Sequence, residues 1–567
     1  MEHVRKLLRR TVLASLVILA AANLASAAAI ELIGVGTVPG SASDGLSLIP
    51  PVLEDGTPHD RMGGFGSAIS YTGIGHRYIA TPDRGPADGT TSYRDRYYLL
   101  DIAVTPGAPT PVTVSLVSAV PLSNEDGQGF TGSSVAFDAT NSPASLRFDP
   151  EGIRMSPAGT FFVSDEYGPF VYEFNAAGRR LRSLPVPAKF LIDHPRAVGA
   201  DELPPTNTKG RQSNRGMEGL AISPDGSKLY GMMQNALIQD GALNAANQRR
   251  GFHNRILEID LATGATREFV YVLTDRSNGV NEILAINDHQ FLVIERDGAG
   301  GNDAAFKKLF KIDITGATDV SGVPSLPQTA PLPPGVVPVS KTLFLDLLDP
   351  AFGLKGPSFP EKIEGLAWGP DFSDGRHLLL VSHDNDFIAT QDSKIFAFAI
   401  EAGALPGFQP QVLPAATFGH FSGSGTGVGR GSRAGVSIVT SFALDRPLDL
   451  SAAKAVTITR LTSDGLHDVA GLPLTLGAEC CNNARTAYFR TTAGPQARVT
   501  LGARGGNEFT LRIDVTQTSS QPSDQCPDAT LITALLIEDG VNPPVSVATQ
   551  QPWLCFGTGD QYLRSPQ

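Results

Sequence analysis

Short apolar runs, each broken by Gly, Pro, Asn or Asp, punctuate the chain from Ile30 to Ile400. They are too short for helices and alternate as half-buried strands do. The clearest stretch lies between Arg147 and Pro187. Ile153–Met155 and Phe161–Ser164 read as strands joined by the turn Ser156-Pro157-Ala158-Gly159, and Phe170–Phe174 and Arg182–Val186 follow. A hairpin sets the residues before its first strand beside those after its second. Glu151 and the pair Asp165-Glu166 are therefore expected at one sheet edge.

The pattern recurs. GMEGLAISPDGSKLYGMMQN carries Glu218 before one strand and Gln234 after the next. VNEILAINDHQFLVIERDG has Glu282 and then Glu295-Arg296, and KIEGLAWGPDFSDGRHLLLVSHDND has Glu364 and then His383-Asp384-Asn385. An earlier copy, GGFGSAISYTGIGHRYIATPDRGP, has Ser67 in the glutamate position and Asp83-Arg84 after its second strand. A repeat of this size, built from strands too short to stand alone, predicts an all-β fold, a β-propeller of five or six blades. Tyr97–Val104, Pro111–Ala119, Arg255–Asp260, Thr266–Val272 and Lys394–Ile400 read as further strands. Ile30–Val38 reads as an N-terminal strand able to complete the last blade.

Between Phe418 and Gly435 the sequence becomes FGHFSGSGTGVGRGSRAG, the composition of a linker. Beyond it, six runs from Val436–Ala443 to Thr530–Ile537 predict a small β-sandwich-like domain. The expected division is a signal peptide over 1–27, a propeller over 28–415, a linker over 416–435 and the C-terminal domain over 436–567.

Composition then narrows the function. A net charge of −12, with no basic cluster in the mature chain, argues against a nucleic-acid partner. Arg5, Lys6, Arg9 and Arg10 precede the apolar run Thr11–Leu24 and the cleavage signal Ala25-Ser26-Ala27, so cleavage is expected after Ala27. Arg9-Arg10-Thr11-Val12-Leu13 leaves twin-arginine export as the alternative to the general secretory route. No later run is long and apolar enough to span a membrane, so the mature chain is expected in the periplasm or secreted. All four cysteines, Cys480, Cys481, Cys526 and Cys555, fall in the C-terminal domain. In an exported protein that predicts two disulfides. Adjacent cysteines rarely bond each other, so Cys480 and Cys481 are expected to pair with Cys526 and Cys555, in either order.

R-x-D-P-E-G-I and S-D-E, then N-R-G-M-E-G-L-A, L-V-I-E-R, E-G-L-A and H-D-N-D-F occur in one order along roughly residues 60–400. In these motifs the chain resembles the exported phytase-like family described as having esterase-like activity of phytase. The resemblance implies a propeller and hydrolysis of phosphoric esters. Gln234 stands where the Glu151 and Glu282 units have an acidic residue, a departure from one carboxylate per blade at that position.

Five hairpin edges facing one channel would gather Glu151, Asp165, Glu166, Glu218, Glu282, Glu295, Glu364 and Asp384. Carboxylates so close repel unless protonated, paired or bound to a cation. Hard oxygen donors of this kind suit Ca²⁺, with Asn385 completing the set. Arg84, Arg215 and Arg296 adjoin these acids and can hold phosphate oxygens in forked geometry. His383 is the candidate general acid. The competing reading is structural. Glu-Gly before a strand can bond backbone amides and let blades pack, and the arginines can serve as salt bridges between blades. The expected partner is a small-molecule phosphate ester or another ester, and the sequence leaves open which protein, if any, the C-terminal domain meets. The alternatives are a propeller that binds a ligand or protein without catalysis, and a calcium-dependent lactonase or carboxylic-ester hydrolase.

Overall fold

The computed structural model describes residues 29–176, 178–329 and 331–413. Beyond these it describes mainly the strands between 418 and 564. The expected signal peptide, Cys480, Cys481 and Cys526 lie outside the described residues, as does the side chain of Cys555, and with them the disulfides. Among the described residues the chain is strands, turns and a few single-turn 3₁₀ segments, and no helix is long and apolar enough to cross a membrane.

Strand β1 (Ile30–Val38) is followed by β2 (Ala68–Tyr71), β3 (Arg77–Thr81), β4 (Arg96–Val104) and β5 (Val112–Pro121). Next come β6 (Pro150–Met155), β7 (Phe161–Asp165), β8 (Val171–Phe174) and β9 (Arg180–Ser183). The third group is β10 (Met217–Ile222), β11 (Lys228–Met233), β12 (His253–Asp260) and β13 (Thr266–Val272). The fourth is β14 (Gly279–Ala285), β15 (Gln290–Arg296), β16 (Lys307–Asp313) and β17 (Ser340–Asp346). The last three are β18 (Lys362–Trp368), β19 (His377–Asp384) and β20 (Ser393–Ile400). Each group of four forms an antiparallel sheet in chain order. The last three strands gain β1 as their fourth, with Ile30 opposite Ile400 and Val38 opposite Ser393.

The strands read from the sequence recur closely, with one shift, and Lys307–Asp313 and Ser340–Asp346 add two that it did not assign. The fourth strand of the second sheet is Arg180–Ser183, two residues earlier than its apolar residues predict. Its pairing with β8 and the buried Arg180, which packs over Tyr172, take precedence over local composition.

The inner strands of the five sheets are buried on both faces, and each sheet shares an apolar layer with the next. Ile153 and Tyr172 of the second sheet pack against Ala68 and Tyr97 of the first. Leu220 and Leu229 meet Phe162 and Val171, and Ile283 and Phe291 meet Tyr230 and Ile256. Leu366 and Phe396 meet Leu292 and Leu309. The last layer joins Leu380 and Ile395 to Ile69 and Tyr98, which returns the series to the first sheet. The result is a propeller-like ring whose innermost strands are β2, β6, β10, β14 and β18.

The C-terminal region differs from its expected form. Phe418–Thr426, read as linker, is a strand paired with Gly435–Ala443. Ten strands close into a single barrel, with the last, Tyr562–Arg564, pairing back onto Phe418–Thr426. Two separately packed sheets are not formed, because every strand finds a hydrogen-bonded neighbour on both sides.

Candidate functional site

The glutamates reach the channel through an irregularity in pairing. In β10 the register with β11 slips between Met217 and Gly219, leaving Glu218 as the extra residue. In β18 it slips between Ile363 and Gly365, leaving Glu364, and in β6 Glu151 and Gly152 lie within the same kind of slip. Such a bulge bends the strand and re-aims one side chain. The glycine that follows fits tightly between sheets. A Cβ on Gly152 would lie 2.5 Å from Leu220 Cβ, and one on Gly365 would lie 3.2 Å from Ala68 Cα. The packing role expected of the glycine in the Glu-Gly pair is thus present, and the bulge sets the glutamate apart from the strand pairing.

In β14 the slip lies one residue earlier, between Val280 and Glu282, and the extra residue is Asn281. Its Nδ2 donates to Glu218 Oε1 at 2.6 Å and to Glu364 Oε1 at 3.4 Å. Glu282 instead braces two sheets: Oε2 lies 2.8 Å from Arg154 Nη2, and Oε1 accepts from the Leu220 amide at 3.1 Å.

Among the described residues two carboxylate groups of three result. Asp149, Glu151 and Glu166, all buried, have ligand-capable oxygens within 4.8 Å of one another. Glu218 adjoins them: its carboxyl lies within hydrogen-bonding reach of Glu166, and burial, then Glu166 and Glu364, pushes its pKa well up. Burial, then Glu218, Asp149 and Glu166, does the same to Glu151. Asp149 is raised only to about 6, since Arg84 opposes its burial with a 2.8 Å ion pair. Glu166 Oε1 and Glu218 Oε2 are buried and accept from no N–H donor among the described residues, which leaves the two carboxyls within reach of each other. Two such oxygens amid carboxylates fit a hard cation, which would give both a partner.

The second group, Asp83, Asp384 and Asp386, already holds a cation of the chain's own. Lys362 Nζ is 3.1 Å from Asp384, 3.7 Å from Asp83 and in contact with Asp386. Burial opposes its charge, but Asp384, Glu364 and Asp83 more than offset that and keep the ammonium protonated.

The remaining predicted ligands stand apart from both groups. Asp165 accepts the amides of Asp149 and Tyr167, each at 3.0 Å, and of Gly168 at 2.6 Å, shaping the turn after β7. Glu295 is held by Tyr271, Asn278 and the Thr274 amide, each at 2.8 Å, and by Lys341 at 2.5 Å. Asn385 accepts from the Gly64 amide at 2.9 Å and donates to the Gln391 carbonyl at 2.8 Å. His383 is buried, and burial, then Lys394 and Lys362, lowers its pKa to about 3. A ring held neutral lacks the dissociable proton that a general acid donates at neutral pH.

A polar pocket of about 400 Å³ opens beside these groups. Its lining includes Gln234 and Asn281, the two donors to Glu218, together with Arg84, Arg215, Arg296 and Lys362. Arg84 is committed to Asp149 and to Asp88 at 2.9 Å, with Asn214 also in contact. Arg296 donates Nη2 to Glu364 at 2.6 Å and leaves Nε without a partner. Asp149, Asp83, Asp386, Lys362 and Arg249 were absent from the sequence-derived set. The first lies inside D-P-E-G and Lys362 begins K-I-E-G, so both were within reach of the same motifs.

An all-β, propeller-like protein with buried carboxylates at the inner strands and a polar pocket of mixed charge beside them defines the class. The profile of the phytase-like family, described as "Esterase-like activity of phytase", matches residues 60–387, and the chain belongs to that family. An uncharacterized secreted protein of Arthroderma benhamiae is 29% identical over 352 residues, covering 48% of this chain and 64% of that protein. The match thus spans less than two thirds of the relative's length. Among solved structures, a luciferin-regenerating enzyme is similar with a TM-score of 0.26 and 10% identity, over 60% of this chain and 78% of its own. Regucalcin, a calcium-binding protein of Agrobacterium tumefaciens, has a TM-score of 0.25 and 13% identity, over 58% and 93%.

Proposed function

We propose that this chain is an exported phytase-like hydrolase, a five-bladed propeller that cleaves phosphoric esters where the channel meets the polar pocket. The observation that carries this reading is the set Asp149, Glu151 and Glu166, with oxygens within 4.8 Å of one another, together with Glu166 Oε1 and Glu218 Oε2, which accept from no N–H donor among the described residues. Glu151, Glu166 and Glu218, with Asp149, would hold the cation, and calcium suits their oxygen donors. A bound cation supplies charge neutralisation at a phosphate oxygen and acidifies a water.

The chain's own residues supply the rest. Arg296 lines the pocket and is the donor placed to meet an oxygen of the reacting phosphate. Arg84, held by Asp149, Asp88 and Glu166, positions Asp149. Asn281 and Gln234 fix Glu218 Oε1, leaving Oε2 as the atom free to bind. Export is supported by the N-terminal signal pattern and by the secreted relative.

The test is a panel of phosphoric and carboxylic esters, assayed on the mature chain with calcium and with chelator. Phosphate release that needs calcium, and that falls at least about tenfold in Glu218→Gln, is the expected result. Cleavage of carboxylic esters alone would move the chain to the lactonase or carboxylesterase reading, and no turnover of any ester would remove catalysis.

A further inference from the structure

Each cation in the pocket can be matched to a carboxylate except two. Arg84 has Asp149, Lys362 has Asp384, and Arg296 has Glu364. Arg215 donates to the Asn214 carbonyl at 2.8 Å and to Gln234, and Arg249 reaches only Asn235 Oδ1, at 3.4 Å. Among the described residues neither guanidinium has a carboxylate within 4.0 Å. Both line the pocket and both are half-buried.

Burial lowers the Arg249 pKa, and Arg215 and then Arg296 lower it further, so these like charges crowd one another. Crowded guanidinium groups without counter-ions carry an electrostatic cost that a bound anion removes. Arg249 arrives by its own route, on the excursion between β11 and β12, where Leu243 bridges Arg249 and the chain folds back on itself. Gln234 couples the two sites, since its Oε1 accepts from Arg215 while its Nε2 donates to Glu218 at 2.7 Å.

We propose that Arg215 and Arg249 form an oxyanion subsite that takes a second anionic group of the substrate, a phosphate or a carboxylate, and that Arg249 sets this specificity. The role in substrate choice rests on the hydrolase reading; the anion site itself does not. An ester whose reacting group lies at the carboxylate cluster would reach Arg215 and Arg249 with a neighbouring anion.

The experiment titrates the mature chain with inorganic phosphate and, separately, with malonate by calorimetry, in chelator, for wild type, Arg249→Gln, Arg249→Lys and Arg250→Gln. Arg250 does not line the pocket and serves as control. Arg249→Gln should weaken binding at least about tenfold, as expected for loss of one charge-assisted contact. Arg249→Lys, which keeps the charge without the fork, should weaken it less, and Arg250→Gln should leave it unchanged. The preferred anion identifies the group taken. With esters, Arg249→Gln should raise KM for substrates bearing a second anion and leave KM for singly charged ones and kcat nearly unchanged. Phosphate and malonate binding as tight in Arg249→Gln as in wild type overturns the subsite, even where hydrolysis persists. Anion binding that depends on Arg249, with no ester turned over, supports the subsite and removes the hydrolase reading alone. If Arg249→Gln melts lower than wild type, Arg249→Lys decides the matter by the same criterion.

Discussion

Asn281, rather than the adjacent Glu282, faces Glu218: its Nδ2 donates to Glu218 Oε1 at 2.6 Å, while Glu282 turns to Arg154 at 2.8 Å. One residue of register separates a channel position from a brace between sheets. Asn281 also supplies an N–H where a fourth glutamate would add another charge to Glu218 and Glu364.

That position can be tested by Asn281→Asp, which keeps the shape and replaces the donor with a carboxylate. In chelator the variant should lose at least about 1 kcal/mol, since a donor is lost beside two carboxylates. Its stabilisation by calcium should exceed that of wild type. Glu282→Gln should also lower stability, through the Arg154 contact, but leave the calcium-induced rise in melting temperature as it is. A smaller calcium effect in Asn281→Asp than in wild type would place the cation elsewhere.

Lys362 makes a second prediction. Lys362→Gln leaves Asp83, Asp384 and Asp386 without their ammonium, and removing one partner of a buried pair costs about 3 kcal/mol. Burial already holds Asp83 at about 7 even with Lys362 beside it. Without Lys362 the folded state takes up protons more readily than the unfolded chain, so the deficit should shrink as pH falls. Thermal melts of both proteins across the acid range would show the two curves converging. A constant gap would mean these carboxylates do not depend on Lys362.

Asp95 is fully buried, and neither carboxyl oxygen has a hydrogen-bond partner. Burial, then Asp149, pushes its pKa well above the ordinary 3.8. The folded chain therefore keeps a proton that the unfolded chain releases above that value, and stability from this group is lost as pH rises. Asp95→Asn should melt higher than wild type at about pH 8, by at least about 1 kcal/mol, and differ little at about pH 4. A variant that is less stable at both pH values would show that the carboxylate, not the acid, belongs to the fold.

Most strands were legible in the chain, because a strand buried on one or both faces writes its period into its own residues. Ile30–Val38 could even be read as the closing strand, since it is apolar and lacks a neighbour of its own. The motif glutamates were also visible, as was the tight packing implied by the glycine after each. Four features were decided only by the assembled ring: Asn281 in place of Glu282, Lys362 seated among three aspartates, His383 held neutral, and Arg249 brought to Arg215. A bulge belongs to the pairing of two strands, so a one-residue slip leaves no trace in either strand alone, yet it turns a side chain from the channel to the sheet interface. Charge compensation likewise depends on which distant residues share a small volume. Glu295 and Asp165 look as acidic in sequence as Glu151 and Glu166, and only the fold shows that the first two are held by donors of their own while the other two share a small volume with Asp149.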